Sequence, residues 1–564
     1  MTEWWRNAVV YQLYVRSYAD SNGDGRGDLR GIIDRLDHLG QLGVDAVWLT
    51  PCYPSPQHDH GYDVADYFSI EPMYGDLADF DELIVAATTR GIKVLMDVVP
   101  NHCSEEHVWF REALRAVPGS AARDRFYFRD GRGDSGELPP NNWRSVFGGS
   151  VWTPTMAADG TPGQWYLHTF APEQPDFNWE SQDVIDHFDA MFAFWFDRGV
   201  EGFRIDAVAV AGKAPGLPDA PQLDPAANIA ENDVWSHNPY SVFWPSAHQH
   251  WQHWRTVIDE YQRTHPGREL VTVSEAYTPK RPDLLLDYVN PREFHQSFCF
   301  DLMLAPWHPS LLREAIALFY ETFSVVDAPL TWTINNHDTQ RSTTRYGRAD
   351  ATLPSSYTGN NLVYTNTPID LAVGLRRTRA MIMMAAALPG SLYLYQGEEL
   401  GLPEVLDIPA DRREDPIFER TEGREIGRDG CRIPMPWNID RATGFGFSTT
   451  TAEPWLPQPA DWGEWSIERQ HADPASTLHL YRRTVALRRA IEASAPLEWV
   501  LGELDELVAF RRGDVMVVLN VSDHDVQLPV SIGCEVLLSS VPGQTDTRES
   551  AADSCLWLRT ISSM

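Results

Sequence analysis

Four short segments end in residues that can do acid–base and nucleophilic chemistry. "MDVVPNH" carries Asp97, Asn101 and His102, "GFRIDAV" carries Arg204 and Asp206, "VTVSEAY" carries Glu275, and "INNHD" carries His337 and Asp338. Each follows an apolar run. A single acid in such a place is most often a cap or a salt-bridge partner. Several brought to one enclosed site behave differently, because neighbouring carboxylates repel and one keeps its proton while another stays anionic. A protonated acid facing an anionic nucleophile is what cleavage of a glycosidic bond requires. Arg204 and Asp206 stand two residues apart, so an extended chain turns both to one side, where the guanidinium can hold the carboxylate ionised. The histidines show no HxxxH or HxH spacing joined to a strand-end acid, which argues against a zinc hydrolase. "HQHWQHW", His248 to Trp254, reads instead as the solvated face of a helix.

Elements that could gather these residues recur along the chain. Eight short apolar runs are candidate strands: "VVYQLYV", "DAVWLTP", "KVLMDVV", "GFRIDAV", "LVTVSEA", "HQSFCFDLM", "PLTWTIN" and "SLYLYQG". Helical patterns separate them, such as "LADFDELIVAATTRG", "DVIDHFDAMFAFWFDRG" and "LAVGLRRTRAMIMMAAALPG". Alternation repeated eight times predicts an α/β fold, a (β/α)8 TIM barrel, whose chemistry sits at the C-terminal ends of the strands. Between "DVVPNH" and the helix at Asp183 lie roughly eighty residues rich in Gly, Pro, Trp and Asp, too many for an ordinary connection. The expected organisation is a barrel over 1–102 and 179–494, an inserted subdomain over 103–178 after the third strand, and an antiparallel β-domain over 495–564, where short alternating runs such as "LVAFRRGDVMVVLNVS" take over.

Composition removes several classes of partner. Across 564 residues, 46 Lys and Arg stand against 80 Asp and Glu, a formal charge of −34. So acidic a surface repels nucleic-acid backbones and anionic lipid. The six cysteines, at 52, 103, 299, 431, 534 and 555, form no CxxC pair, "MTEWWRNAVV" has no signal-like apolar segment, and "AMIMMAAALPG" is too short to span a bilayer. A cytoplasmic location is expected. Aromatic residues make up 11% of the chain, 21 of them Trp, and flat rings suit the apolar faces of sugars.

"DVVPNH", "GFRIDAV", "VSEAY" and "NNHD", in this order and spacing, resemble the four strand-end motifs of the α-amylase superfamily, glycoside hydrolase family 13. That resemblance extends over essentially the whole chain, the inserted subdomain and C-terminal β-domain included. It implies Asp206 as the nucleophile of a covalent glycosyl intermediate, Glu275 as general acid and then base, and Asp338 as the third carboxylate, holding sugar hydroxyls. His102 and His337 are implied as hydroxyl-binding histidines, and Arg204 as partner of the nucleophile. In a retaining pair of this kind the carboxyls lie about 5–5.5 Å apart.

Further segments resemble the oligosaccharide-hydrolysing branch. "DHGYDVADY" places Asp59 and Tyr62 at the closed end of a glucose pocket, "QPDFNW" supplies Gln174, and Phe147 and Phe170 are implied as pocket aromatics. "RDGCRIPMPW" makes Arg432 the expected partner of Asp59, a pairing that would block a polymer and leave an exo-acting enzyme. Ala207, after the nucleophile, resembles relatives that prefer α-1,4 bonds. The expected activity is a retaining α-glucosidase acting on maltose and short α-1,4 oligosaccharides, with transglucosylation as a second outlet. Oligo-1,6-glucosidase, trehalose synthase, a sucrose-hydrolysing relative and a non-catalytic family member remain alternatives. Near the N-terminus, "DSNGDGRGD" opens like a calcium loop, but its twelfth position is Gly31 rather than Glu, so it is not an EF-hand. It resembles a structural cation loop of this branch, with Asp20, Asn22, Asp24, Asp28 and the Arg26 carbonyl holding Ca²⁺ or Mg²⁺; a Gly-rich turn capped by Asp side chains is the alternative.

Overall fold

The computed structural model describes residues 3–156, 160–224, 234, 236–278, 280–326, 328–352, 367–529 and 534–560. The parts of the expected domains at 1–2, 157–159, 225–233, 235, 279, 327, 353–366, 530–533 and 561–564 lie outside the described residues. Eight parallel strands form one sheet: β1 Val9–Leu13, β2 Ala46–Leu49, β3 Lys93–Val98, β4 Gly202–Ile205, β5 Val271–Ser274, β6 Gln296–Ser297, β7 Thr331–Thr333 and β8 Ser391–Tyr395. They neighbour one another in the order β7-β8-β1-β2-β3-β4-β5-β6. A parallel bridge between Cys299 and Trp332 draws the two edges together, so the sheet is a nearly closed barrel. All eight expected strands are present. The sixth is the shortest, because "HQSFCFDLM" stays extended only to Ser297 before Phe300–Leu304 turns helical.

Crossover helices include Leu29–Leu42, Leu77–Thr89, Gln182–Asp197, Ser246–Thr264, Pro309–Phe323 and Leu371–Ala387. Their starts are written locally. Asp28 caps the first by accepting from Gly31 N, and Asp76 with Asp79 forms a capping box on the second. The helix Ser246–Thr264 is not simply solvated where "HQHWQHW" lies: His250, Trp251 and Trp254 are buried, while His248 pairs with Glu293 and His253 with Asp189. "AMIMMAAAL" is buried on every side because the C-terminal sheet covers the face turned away from the barrel; Trp557 Nε1 donates to Met383 O and Arg512 to Ala387 O. Among the described residues no helix is long and apolar enough to cross a membrane.

The C-terminal sheet is antiparallel, in the order Glu498–Trp499, Leu507–Arg512, Val515–Asn520, Ser554–Thr560, Cys534–Ser539. Between β3 and β4 lies a three-stranded antiparallel sheet, in the order Phe128–Arg129, Pro162–Leu167, Trp152–Met156.

Inside the barrel the two-residue period of a strand sorts the side chains into layers. Val10, Ala46, Trp48, Leu95, Val271 and Val273 share one buried apolar cluster, whereas Val47, Leu49, Met96, Val98, Phe203 and Ile205 belong to the core outside it. Counting on by two from the inner set reaches Gln12, Asp97 and Glu275, so the polar layer is the next turn of the same pattern. Gly202 is needed at the bottom of β4, since a Cβ there would stand 2.3 Å from Val271 O.

Candidate active site

Strand register brings the first cluster together. Asp97 on β3 lies opposite Arg204 on β4, and Ile205 opposite Ser274 on β5. Beyond the last paired residues, Asp206 N donates to Val98 O and Glu275 N to Ile205 O, both at 2.9 Å. Asp206 and Glu275 are therefore adjacent at the mouth. One buried guanidinium serves three carboxylates: Arg204 Nη1 is 3.0 Å from Asp97 Oδ1 and 2.5 Å from Asp206 Oδ1, and Nη2 is 2.7 Å from Glu275 Oε2. Ala207 stands in the left-handed region at φ 46°, which for a residue with a Cβ costs about 1 kcal/mol or more. That turn points its N–H at Glu275 Oε2, 3.2 Å away.

Charge follows from this packing. Burial pushes the Asp97 carboxyl up to about 7 against the opposing pull of Arg204. Asp206 is likewise raised well above the usual range, by burial and by the Glu275 and Asp97 charges, again opposed by Arg204. Asp97 and Asp206 thus share protons as one pair under a single guanidinium.

A hydrogen-bond chain crosses the barrel to the third acid. Gln12 Nε2 meets His337 Nδ1 at 2.6 Å, His337 Nε2 meets the Tyr62 hydroxyl at 2.7 Å, and that hydroxyl donates to Asp97 Oδ2 at 3.1 Å. With the Gln12 amide as donor, the proton of the neutral ring sits on Nε2, facing Tyr62 and Asp338 Oδ2, the latter 3.2 Å away. Burial, together with nearby guanidinium groups, holds His337 well below its ordinary pKa. Tyr62 and His337 stack at 5.4 Å with planes 6° apart.

A second guanidinium gathers a second set of acids. Arg428 Nη2 is 2.8 Å from Asp59 Oδ1, Nη1 is 3.1 Å from Asp338 Oδ1, and Nε is 2.7 Å from Asp415 Oδ2. Asp59 is thus partnered by Arg428, not by the expected Arg432. Arg432 instead reaches Asp338 Oδ1 at 3.0 Å, held there by its Nε bond to His337 O and by Ser17 Oγ on its own carbonyl. The two arginines flank a short 3₁₀ turn, Asp429–Cys431, and that turn decides which one faces Asp59. Burial opposes ionisation of Asp338, yet His337, Arg428, Arg432 and Arg204 hold it well below the usual carboxylate range. The guanidinium share of that field persists when the His337 ring is neutral.

The remaining expected residues join the same network. Gln174 Nε2 reaches Asp59 Oδ2 at 3.1 Å and His102 Nε2 at 3.0 Å. Burial lowers His102 to about 4, so its ring is neutral at ordinary pH and meets Phe170 at 4.9 Å. Phe147 packs edge-on to Phe170 at 5.6 Å and lies under the Arg428 guanidinium at 5.6 Å. Sequence reasoning missed Gln12, Asp415 and Arg428 as members of the site. Gln12 was legible as a polar residue on an inward-facing strand position; Asp415 sits in an aperiodic stretch and gave no signal.

The loop Asp20–Asp28 stands apart from this chemistry. Asp20 accepts from Gly23 N and Gly25 N, Asp24 Oδ1 from Arg26 N, and Asp28 from Ser21 and Asn22. Its oxygens are thus drawn inward by backbone donors. Among the described residues no three His, Cys, Asp or Glu side chains gather closely enough to form a metal-holding group, so a cation here would lean on the Asn22 amide and backbone carbonyls besides the carboxylates.

Comparison with known proteins agrees with the geometry. Residues 12–495 match the family model described as alpha amylase, catalytic domain. An alpha-glucosidase of Saccharomyces cerevisiae is 33% identical over 526 residues, 86% of this chain and 84% of the relative. An oligo-1,6-glucosidase of Heyndrickxia coagulans is 33% identical over 555 residues, 93% of each chain. The crystal structure of an alpha-glucosyl transfer enzyme, XgtA, superimposes with a TM-score of 0.84 at 30% identity, over 99% of this chain and all of the other. The chain belongs to the alpha-amylase family and is a glycoside hydrolase acting on α-glucosides.

Proposed function

We propose that this member of the family is an exo-acting, retaining α-glucosidase that releases terminal glucose from maltose and short α-1,4-linked oligosaccharides. The observation that carries the exo reading is Arg428, which ties Asp59 to Asp338 and walls off one end of the hollow. A chain end fits against such a wall; the middle of a polymer does not. Retention is supported by the single Arg204 fork that touches both Asp206 and Glu275, as a close carboxyl pair requires. In this reading Glu275 protonates the leaving oxygen while Asp206 attacks the anomeric carbon. Asp338, held ionised, takes sugar hydroxyls and strengthens those bonds as the ring gains positive charge. Water activated by Glu275 then frees glucose, and a sugar hydroxyl in its place gives transglucosylation. Barrel segments 1–102 and 179–494 carry the three acids, the subdomain 103–178 supplies Phe147, Phe170 and Gln174, and the β-domain 495–564 backs the last helix.

Preference for α-1,4 bonds rests on Ala207, whose small side chain leaves space beside the scissile bond. The test compares glucose release from maltose, isomaltose, sucrose and trehalose, with the first anomer followed by NMR. Maltose is expected to lead and α-glucose to appear first. Dominant isomaltose cleavage would overturn the linkage reading, and β-glucose first would overturn retention.

For the loop Asp20–Asp28 the proposed role is a structural Ca²⁺ or Mg²⁺ clip. Asp20, Asn22, Asp24, Asp28 and the Arg26 carbonyl would hold the ion, and the bonds from Trp455 N to Gly25 O and from Asp20 N to Phe447 O fasten the loop to the segment after β8. Chelation is expected to lower the melting temperature by several degrees without abolishing activity; an unchanged transition would leave a capped turn. The cytoplasmic reading is supported by the six cysteines, all free.

A further inference from the structure

The stretch from Asp415 to Arg428 grips one pocket residue from two directions. At its far end, Arg428 lies over the Phe147 ring and takes Asp415 through Nε. At its near end, Asp415 Oδ1 accepts from Ile417 N and so caps the short helix Pro416–Arg420. The last residue of that helix, Arg420, crosses to the inserted subdomain, where Nη2 donates to Gly148 O at 2.6 Å and Nε to Phe147 O at 3.3 Å. One carboxylate, Asp415, therefore anchors both the arm that holds the Phe147 ring and the arm that holds its backbone.

Other bonds hold the first half of this turn: Ser145 N donates to Gly149 O, Gly148 N to Ser145 O and Phe147 N to Ser145 Oγ, while Val146 N donates to Thr169 O and Ser145 Oγ to Phe170 O. The Phe147 and Gly148 carbonyls beyond them are met by Arg420. Gly148 and Gly149 follow Phe147 at φ 85° and 79°, the left-handed region where glycine moves without a Cβ penalty. Among the described residues, no heavy atom within 4 Å would meet a Cβ on Gly148, and a Cβ on Gly149 would meet Arg420 Nη2 at 3.5 Å. The Phe147 ring nevertheless stands against Phe170 and under Arg428, each at 5.6 Å.

We propose that Arg420 is a positioning residue of the glucose pocket: by fastening the Phe147–Gly148 backbone to the segment after β8, it holds the Phe147 ring in place and sets the affinity for the terminal glucose. Arg420 touches neither the substrate nor the acids, and the inference rests on the glucosidase reading above. It separates Arg420 from Arg428, which meets three acids of the site directly.

The test measures glucose binding by calorimetry, and KM and kcat on maltose, for the unaltered protein, Arg420→Ala and Arg420→Lys. The expected result for Arg420→Ala is about tenfold weaker glucose binding and about tenfold higher KM, with kcat within about threefold. Arg420→Lys, keeping one donor, should recover part of the loss. A generally damaged fold would lower kcat through loss of active molecules and leave KM where it was. Unchanged binding and KM in Arg420→Ala, or a fall in kcat alone that Arg420→Lys does not relieve, would overturn the proposal. An unaltered protein that neither binds glucose nor cleaves maltose would instead overturn the glucosidase reading, and this inference with it.

Discussion

Two buried arginines, each surrounded by three carboxylates, organise two neighbouring parts of the candidate site. Arg204 serves Asp97, Asp206 and Glu275, and Arg428 serves Asp59, Asp338 and Asp415. Composition alone would call them equivalent, but their fields are not. Around Arg204 the carboxylates crowd one cation, and burial lifts Asp97 and Asp206. Around Arg428 the charge of Arg432 is added, and Asp338 and Asp415 fall well below the usual range despite burial, while burial still raises Asp59. Asp97 and Asp206 are thus poised to hold a proton, and Asp338 and Asp415 to stay charged. Two different electrostatic settings can thus be built from the same ingredients, arginine and carboxylate, by changing the ratio of cations to carboxylates.

Breaking either end should produce a different kind of defect. Asp206→Asn removes the proposed nucleophile, and kcat on maltose is expected to fall by about 10⁴-fold or more with the fold intact. Activity equal to the unaltered protein would remove Asp206 from the mechanism. Next in size is Arg428→Ala, which strips the cation from Asp59 and Asp415 in a buried setting. Stability should drop by about 3–5 kcal/mol, the cost of leaving buried charge uncompensated. KM should rise more than kcat falls, and the reverse split would place Arg428 in the chemical step instead.

The subtlest contrast is in pH. A proton held on Asp97 up to about pH 7 in the folded chain, against about 3.8 when unfolded, favours the folded state below that window and less so as pH rises through it. The stability of the unaltered protein relative to Asp97→Asn should therefore fall from about pH 4 to about pH 7 in thermal melts at stepped pH. Because the Asp97 charge helps raise Asp206, the same change should move the acidic limb of the kcat/KM profile to lower pH. A limb that stays put would show the two carboxyls to be uncoupled.

The Arg204 end was legible in the sequence because strand physics writes it there. An apolar run of period two, ending in Asp97, Arg204 or Glu275, states both the element and the face, and parallel register then leaves the ends of β3, β4 and β5 adjacent. Eight such runs also fixed the barrel. At the Arg428 end no period exists. "RDGCR" offers two arginines four residues apart, and nothing local selects between them; the 3₁₀ turn and the anchorage of Arg432 by Ser17 and His337 make the choice. Asp415 was invisible for the same reason, since its partners lie 13 residues away along an irregular segment and, through Arg428, on loops hundreds of residues apart in sequence. Sequence alone determined which residues the strand ends bring together, because a repeating backbone geometry converts spacing into direction. Only the tertiary structure decided which cation meets Asp59, because in a loop direction is set by whatever the loop is packed against.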